Sequence, residues 1–504
     1  MKRLVIAACL LFLPVLVSVE KGPAPASASS GPRPVPNYHS KLVCGVPAHG
    51  RAACHAAVVT NSSGVPMATS SPGASSFGPA QFHTGYNLPC TPGGSASAVC
   101  AAPVSFGGQT IAIVDAYDDP TAESDLGTYD AYYGLPACTT ANGCFRKVDQ
   151  TGGTSYPAVD QGWAFEISLD VQVAHMVCQT CKILLVEANT SYLNDLAISA
   201  KEAVALGATE VSNSYGANEF SNEPAFDPYY NFANVAVTAS TGDSGYGVQY
   251  PASSVGVLAV GGTTLRLNTD NSYSSEAVWS SSGSGCSGYE SANTWQSSVL
   301  DWSQTQCTLH KGAADVGADA DPNTGAAVFD STPYSGSTGW WQVGGTSLAS
   351  PLIASVIALA GGAAGVANAE SVPYAHFNST NSHDITAGTN GSCGTIMCAA
   401  TGGYDGPTGL GSPNGASGFA VGSGSPSPTA TATSTPAATS TSTPTVAPTS
   451  TSTPTLTPTS TSTPTLAPTN TPQPTSTSTQ VPTKSPTPTA TATCGLKGGS
   501  RKCH

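Results

Sequence analysis

Charged side chains are scarce in this sequence, because Lys, Arg, Asp and Glu together make up only 9% of its 504 residues. Thirty acidic and 16 basic residues give a formal net charge of −14, which argues against nucleic acid or an anionic membrane as a partner. In acid, carboxylates lose their charge and the remaining cations repel one another. With so few cations, the composition is compatible with a protein that works in acid.

Apolar runs long enough to cross a membrane are lacking after the N-terminus. Met1-Lys2-Arg3 precedes an apolar run over 4–19, and Ala26-Ser27-Ala28 follows it. This order predicts a secretory signal peptide over 1–28 rather than a membrane anchor. We therefore expect an exported protein, secreted or extracellular, with no membrane span after signal cleavage.

A second Cys-x-x-Cys motif is also missing, so Cys178-Gln-Thr-Cys181 is better explained as a structural disulfide than as a redox pair or half a zinc site. Without Cys9 of the signal, fourteen cysteines remain, an even number that suits an oxidising compartment. The connectivity stays open from sequence alone. Sequential pairing would join Cys44/Cys54, Cys90/Cys100, Cys138/Cys144, Cys178/Cys181, Cys286/Cys307, Cys393/Cys398 and Cys494/Cys503.

Composition divides the chain into five parts. After the signal, residues 29–77 are rich in Pro, Ser, Ala and Gly and form a short pro-like segment, and 78–422 is one large globular unit. Residues 423–493 are Thr-, Ser- and Pro-rich, with a ten-residue repeat, and are expected to be a disordered spacer. Residues 494–504 form a short basic end closed by cysteines. The tail could contact a cell surface.

The globular unit alternates strand-like and helix-like patterns. Apolar runs begin at 111, 182, 208, 234 and 255, and helical patterns cover 162–177 and 191–207. Such alternation predicts an α/β fold with a mainly parallel sheet covered by helices.

Ser347 is a candidate nucleophile. It lies in "VGGTSLASPLIASVIALAGG" (343–362), where Gly344 and Gly345 precede an apolar helix, so its hydroxyl is expected near a helix N-terminus that favours developing negative charge. A helix cap is the alternative interpretation, because Ser is a common N-cap residue. The motif resembles the nucleophile turn of subtilisin-like serine peptidases, but the sequence has no His-Gly-Thr-His segment to supply a base.

Carboxylic acids could replace the missing histidine. Glu166 and Asp170 are four residues apart on a helix whose other residues are mostly apolar, so they share one buried face. Such a pair shares a proton with at least one raised pKa and can act as general base in acid. Asp243 follows a strand in the turn "STGDSG", at the kind of position where parallel-sheet enzymes build their sites.

Together these segments resemble the sedolisin, or serine-carboxyl peptidase, family over about 340 residues, with several motifs in order. The resemblance implies a subtilisin-like fold, with Ser347 as nucleophile, Glu166 as its base, Asp170 supporting Glu166, and Asp243 as the oxyanion-hole carboxylic acid. The implied activity is that of a secreted endopeptidase that forms an acyl-enzyme in acid. Family members usually carry a long folded prodomain, whereas here only 29–77 precede the peptidase unit, which leaves zymogen activation open.

The same resemblance implies one structural Ca²⁺ ion near the end of the peptidase unit. "HDITAGTN" (383–390) and "GGYDGPTGLGSPNG" (402–415) match the family's calcium site. Oxygen ligands from a Gly-rich loop suit Ca²⁺ on chemical grounds as well. The implied ligands are the carboxylates of Asp384 and Asp405 and the backbone carbonyls of Ile385, Thr401 and Gly403.

Two other functions compete with this interpretation. A subtilisin-type peptidase would use Asp115 in "IAIVDAYDD" but lacks a matching histidine, since neither His175 nor His383 has the required context. A non-catalytic exported surface protein on a peptidase fold predicts loss of some catalytic residues, yet all four are present. The expected partners are protein or peptide substrates, with no nucleic acid, and we expect a monomer.

Overall fold

The structure, a computed structural model, describes residues 31–91, 100 and 105–422. The predicted signal peptide, the Thr/Ser/Pro-rich segment 423–493, the basic end 494–504 and the pair Cys494/Cys503 lie outside the described residues. Within the described ranges, no helix combines the length and apolar character needed to cross a membrane.

The strands follow one another along the described chain as β1 (His39–Leu42), β2 (Ala53–Cys54), β3 (Ala57–Thr60), β4 (Thr110–Ala116), β5 (Phe145–Asp149), β6 (Lys182–Ala188), β7 (Glu210–Asn213), β8 (Tyr215–Asn218), β9 (Ala236–Ser240), β10 (Gln249–Tyr250), β11 (Leu258–Leu267), β12 (Tyr273–Val278), β13 (Gly285–Ser291), β14 (His310–Ala313), β15 (Val316–Asp319), β16 (Ala326–Tyr334), β17 (Ser337–Gly344), β18 (Ser382–His383) and β19 (Ser412–Pro413). The α-helices are α1 (Pro79–Gly85), α2 (Ala122–Tyr133), α3 (Gln161–Val177), α4 (Leu193–Ala205), α5 (Thr294–Ser297), α6 (Trp302–Thr305), α7 (Thr346–Leu359) and α8 (Val372–His376). Short 3₁₀ helices cover Glu223–Ala225, Asp227–Tyr229, Ala369–Ser371 and Ser417–Phe419.

The central sheet has the strand order β12-β11-β9-β7-β4-β6-β5, and β15 also pairs with β11. All its pairings are parallel except that of β11 with β12. Helices α3 and α7 pack against each other and against this sheet, and α4 packs on β4 and β6. The predicted α/β fold with a mainly parallel sheet is confirmed.

Two smaller sheets include strands from residues 29–77, the segment predicted to be pro-like. In the first, β1 pairs with β3, β3 with β17 and β17 with β16, all antiparallel. In the second, β8 pairs with both β10 and β2, again antiparallel. The domain boundary at 77 stays a prediction, and the described part of this segment shares its sheets with strands of the unit 78–422.

Six disulfides join neighbouring cysteines within the described residues, as sequential pairing predicted. Cys178–Cys181 is among them, so it is a structural bond rather than half a metal site. The other five are Cys44–Cys54, Cys90–Cys100, Cys138–Cys144, Cys286–Cys307 and Cys393–Cys398.

Many carboxyl groups of the described residues are buried and have raised pKa values. Burial removes water from the ionised form and raises the pKa of the acid. It is the largest cause of a rise to about 6 for Asp119, to about 7 for Asp130, Asp243 and Glu370, and to about 8 for Glu187, Glu210, Glu223, Glu290 and Asp330. Fewer groups act in the opposite direction: burial lowers the pKa of His55, His175 and His383 to about 4.

This pattern predicts a protein that is more stable in acid than at neutral pH. Between about pH 4 and the raised folded-state pKa values, the folded chain binds more protons than the unfolded chain, so stability falls as pH rises through about 6 to 8. The three histidines oppose this trend between about pH 6.5 and 4, but the raised acids outnumber them. Thermal unfolding of Ser347→Ala, followed by circular dichroism, should give a higher melting temperature at pH 4 than at pH 8. The change should be smaller in Glu210→Gln, and a melting temperature that rises towards pH 8 would contradict the account.

Candidate active site

Ser347 lies in the first turn of α7, directly after a glycine whose conformation few other residues adopt. Gly345 is the N-cap and has φ +98°, in the left-handed region. A Cβ atom there would lie 1.9 Å from the carbonyl oxygen of His55 and 2.6 Å from Oδ2 of Asp243. Glycine therefore allows two polar groups to approach the backbone just before Ser347.

The carbonyl of Ser347 is held by Ser214, which lies between β7 and β8. Pro351, inside α7, has no N–H and cannot bond to the carbonyl four residues earlier. The Ser347 carbonyl instead accepts a hydrogen bond from the Ser214 hydroxyl at 3.4 Å. In return, the Ser214 carbonyl accepts from the Ser347 hydroxyl at 3.3 Å. Ser214 thus fixes the nucleophile turn from both sides.

Glu166 and Asp170 lie near this turn on α3, and they share one buried face of the helix, as their spacing predicted. Asp160 is the N-cap of α3, and its carboxylate accepts hydrogen bonds from the N–H groups of Gly162 and Trp163 in the first turn. Both acids are completely buried. Burial is the main cause that raises the pKa of each well above its ordinary value, and the Asp170 charge further raises that of Glu166.

Two neighbouring hydroxyl groups oppose this rise in pKa without cancelling it. The nearby Ser347 hydroxyl lowers the pKa of Glu166, and the nearby Ser214 hydroxyl lowers that of Asp170. Both hydroxyls donate to backbone carbonyls, however, and Glu166 Oε1 and both Asp170 oxygens are buried without a hydrogen-bond partner. Oε2 of Glu166 accepts from the backbone N–H of Ala56 at 3.0 Å. The nucleophile candidate therefore has a buried carboxyl partner that can exchange a proton with it.

Asp115, at the end of β4, is a third acid of this cluster. Its side chain is fully buried, and burial, followed by the charges of Asp170 and Glu187, raises its pKa well above the ordinary value. Its charge also raises the pKa of Glu166. The sequence alone suggests Asp115 only as the aspartate of a subtilisin-type site. Its position at the carboxyl end of a parallel strand was the signal for a wider role.

Asp243 reaches the same place from the loop after β9. Its Oδ1 accepts from the backbone N–H and the hydroxyl of Thr346, both at 2.8 Å. Its Oδ2 is buried without a hydrogen-bond partner and lies beside Gly345. Because burial outweighs the two bonds from Thr346, the pKa of Asp243 rises to about 7. In acid it is a neutral acid that can donate from Oδ2.

The histidines near these elements are occupied elsewhere. The His55 ring binds the Ser240 hydroxyl at 2.7 Å and Oε1 of Gln249 at 2.8 Å. His175, on α3, binds the Pro136 carbonyl at 2.8 Å through Nε2. The titratable side chain beside Ser347 is thus the carboxyl group of Glu166 rather than a histidine, which does not fit a subtilisin-type site.

The five residues of the predicted calcium site lie together in loops around β18. Asp384 accepts from the Gly403 N–H at 3.2 Å, and Asp405 accepts from the Thr401 N–H at 3.0 Å. Burial raises the pKa of Asp405 to about 7, with a smaller contribution from the Asp384 charge.

The donor chemistry of this loop cluster fits a hard cation. Within the described residues, neither carboxylate is paired with a cationic side chain. In the same part of the chain, no protein donor uses the backbone carbonyls of Ile385, Thr401 and Gly403. Carboxylate and carbonyl oxygens that remain available are the ligands Ca²⁺ prefers.

Comparison with known proteins places the chain beside one group of peptidases. It is 37% identical over 185 residues to sedolisin of Pseudomonas sp. (strain 101), a match that covers 34% of this chain and 29% of the relative. It is 31% identical over 347 residues to kumamolisin of Bacillus sp. (strain MN-32), covering 61% of this chain and 59% of the relative. The matches thus span less than two thirds of these relatives' length. No family model matches the chain.

A solved structure agrees with the sequence relatives. Pseudomonas sedolisin, a serine-carboxyl proteinase complexed with two molecules of pseudo-iodotyrostatin, superposes with a TM-score of 0.53 at 26% identity. The similarity covers 68% of this chain and 96% of that structure.

Proposed function

Because the chain belongs to the sedolisin family, we propose that it is a serine-carboxyl peptidase that hydrolyses proteins or peptides in acid. The observation that carries the proposal is the arrangement of four polar residues from three separate segments. Ser347, Glu166 and Asp170 are completely buried side by side, and Asp243 directs a free oxygen to the same turn.

In the proposed reaction, Ser347 Oγ attacks the carbonyl carbon of the substrate and gives its proton to Glu166. Asp170 is a positioning residue, since its neighbouring charge keeps the pKa of Glu166 high enough to hold that proton. The negative oxygen that forms is stabilised by the Ser347 N–H and by the protonated Asp243. Glu166 then gives the proton to the leaving amine. In the second half of the reaction, water attacks the acyl-enzyme and gives its proton to Glu166, which passes a proton back to Ser347 Oγ as the ester bond breaks.

An endopeptidase mode is supported by the way the chain itself runs through the site. Residues on both sides of Ala56, whose N–H meets Glu166, continue as paired strands, β2 before it and β3 after it. A cleft that accommodates chain in both directions does not require a free terminus.

The test is digestion of an unfolded protein between pH 2 and 8 in ¹⁸O-labelled water, with fragments identified by mass spectrometry. The proposal expects internal cuts in acid, with ¹⁸O in each new carboxyl terminus. An absence of cleavage across this range would refute it.

We further propose a structural calcium ion held by Asp384 and Asp405 and by the carbonyls of Ile385, Thr401 and Gly403. The ion would neutralise two neighbouring carboxylates that otherwise repel each other and would tie the loop before β19 to the segment after β18. Its role is in stability, and no step of the reaction passes through it.

Removal of calcium is expected to lower the melting temperature, because a ligand bound only by the folded state stabilises that state. In the Ser347→Ala background, adding chelator should lower the transition, and Asp384→Ala should give the low value with or without chelator. Asp195→Ala, which changes an aspartate at the start of α4, is the control and should keep the response to chelator. A melting curve that chelation leaves unchanged would exclude the site.

Other properties follow from the sequence and remain proposals. Signal-directed secretion agrees with the six disulfides of the described residues, which need an oxidising compartment. We propose a monomer that acts on proteins outside the cell, and a tail that could contact the cell surface.

A further inference from the structure

Thr346 is the first residue of α7 and directly precedes Ser347 in the chain. Its side chain is completely buried. The first N–H groups of a helix have no carbonyl partner within the helix and need an acceptor from elsewhere. Gly345, the N-cap, has no side chain that could supply one. The acceptor for the Thr346 N–H therefore comes from another part of the fold.

Asp243 supplies this acceptor with one of its two carboxyl oxygens. Oδ1 accepts hydrogen bonds from the backbone N–H and from the hydroxyl of Thr346, both at 2.8 Å. Oδ2 is buried beside Gly345 and has no hydrogen-bond partner within the described residues. The two oxygens of this carboxyl group thus have different surroundings, and Thr346 provides both donors on Oδ1.

The direction of the Thr346 hydroxyl is fixed by a second contact. Its Oγ1 accepts from the backbone N–H of Gly242 at 3.1 Å. A backbone N–H can only donate, so Oγ1 is the acceptor in that contact. The hydroxyl proton remains for the bond to Asp243 Oδ1, and the part of the chain that the structure describes offers it no other acceptor.

These contacts decide which oxygen carries the proton when the Asp243 carboxyl group is neutral. A neutral carboxyl group has one carbonyl oxygen, which is the better acceptor, and one O–H group, which can donate. Two donors on Oδ1 make that oxygen the carbonyl oxygen. The proton is then on Oδ2, the oxygen that Thr346 leaves free.

Oδ2 of Asp243 lies beside the place where a carbonyl oxygen meets the Ser347 N–H. The His55 carbonyl oxygen accepts from that N–H at 3.4 Å. This oxygen and Asp243 Oδ2 lie 1.9 and 2.6 Å from the same point, the position of a Cβ on Gly345. A proton on Oδ2 is therefore on the side of the carboxyl group that faces the proposed oxyanion position.

The same hydrogen bonds act on the ionisation of Asp243. Burial raises the pKa of Asp243 to about 7, and the N–H and hydroxyl of Thr346 oppose this rise because they stabilise the ionised form. Two further titratable side chains lie close by. They are Glu166 on α3, whose pKa is raised in part by the Asp243 charge, and His55, whose pKa burial lowers to about 4.

We propose that Thr346 is a positioning residue, whose N–H and hydroxyl hold Asp243 with its proton on Oδ2, next to the substrate oxygen that becomes negative. The proposal rests on the proposed function, because Thr346 acts through the proposed role of Asp243. Thr346 itself takes no part in making or breaking bonds. Without its hydroxyl, Asp243 has one donor on Oδ1 instead of two, and its O–H group is less firmly held towards the oxyanion.

Thr346→Val, which replaces the hydroxyl by a methyl group of similar size, should change the rate and the pH profile together. We expect kcat for peptide hydrolysis in acid to fall about tenfold, the effect of one hydrogen bond. The alkaline limb of the profile should move upward by about one pH unit, because the ionised form of Asp243 loses a donor and its pKa rises. Thr346→Ser keeps the hydroxyl and should restore both the rate and the limb.

The test measures kcat and kcat/KM for one peptide from pH 2 to 8, with the melting temperature of each variant as the check on folding. Thr238→Val is the matched control, because it removes a buried threonine hydroxyl of β9 that bonds to Ser350 of α7 and not to Asp243. It should keep the wild-type limb and a rate within a few-fold of the wild type. The double variant Thr346→Val/Asp243→Asn should have the same alkaline limb as Asp243→Asn, since asparagine does not titrate.

The possible failures are distinguishable. Acid hydrolysis by the wild type with an unchanged alkaline limb in Thr346→Val overturns the positioning role and leaves the proposed function standing. The same holds if Thr346→Ser falls as far as Thr346→Val, or if the limb also shifts in the Asp243→Asn background. A wild type that hydrolyses no peptide from pH 2 to 8 overturns both proposals. If Thr346→Val does not fold, Thr346→Ala, which only removes atoms, is judged by the same expectations.

Discussion

Replacing Ser347 by alanine, or Glu166 by glutamine, is expected to reduce kcat for peptide hydrolysis in acid by about 10⁴-fold or more. Alanine removes the attacking oxygen. Glutamine keeps the size of Glu166 but cannot accept the proton, so the hydroxyl stays a weak nucleophile. Because both residues are buried and act as a unit, the double variant should be little worse than either single one.

The measurement is steady-state hydrolysis of a peptide at pH 4, with thermal unfolding to show that each variant is folded. Ser350→Ala and Glu210→Gln remove a buried serine and a buried glutamate outside the site and serve as matched controls. Both should retain activity within a few-fold of the wild type. Substantial turnover by Ser347→Ala or Glu166→Gln would refute the assignment.

Asp243 is expected to show the second largest effect, and the two replacements should differ. Loss of one oxyanion donor costs about 10²–10³ in rate, so Asp243→Ala should fall by that factor. Asparagine is nearly the same size and donates at every pH, so Asp243→Asn should keep much more activity.

The raised pKa of Asp243 determines how activity should change with pH in the wild type and in the two variants. The pKa of Asp243 is raised to about 7, so the acid donates below that pH and repels the oxyanion above it. Wild-type activity should therefore fall as the pH approaches and passes 7. The coupled titration of Glu166 and Asp170 determines the rest of the bell-shaped pH profile. Asp243→Asn should move the alkaline limb upward. Equal behaviour of the Asn and Ala variants would show that Asp243 is not the donor.

The parts of the fold with local signals were predictable from sequence. The apolar helix α3, predicted over 162–177, is Gln161–Val177, and the strand predicted at 182 is β6. Glu166 and Asp170 could be placed together because helical spacing fixes a shared face over four residues. Cysteines that are close in the sequence can pair by closing short loops, and this limits the disulfide partners that each one has.

The course of residues 52–60, which include β2 and β3, could not be predicted in the same way. Its short strands have partners more than a hundred residues away, such as β8 and β17, and nothing in residues 52–60 encodes those partners. The run of Ala57–Thr60 after Cys54 was the available signal, but it is too short to separate from a loop in a segment rich in Pro, Ser and Gly. Asp115 had a sequence signal in its place at the end of a strand, but only tertiary packing brings it near Asp170 of α3.

The central claim is that a serine is activated by carboxylic acids, and the pH dependence of kcat/KM for one peptide tests it most directly. The wild type and Ser347→Ala are measured side by side from pH 2 to 8. The account predicts a bell-shaped profile with its maximum in acid for the wild type, and no turnover above background for Ser347→Ala at any pH. A wild-type maximum near neutral pH, or an acid activity that survives the loss of Ser347, would contradict it.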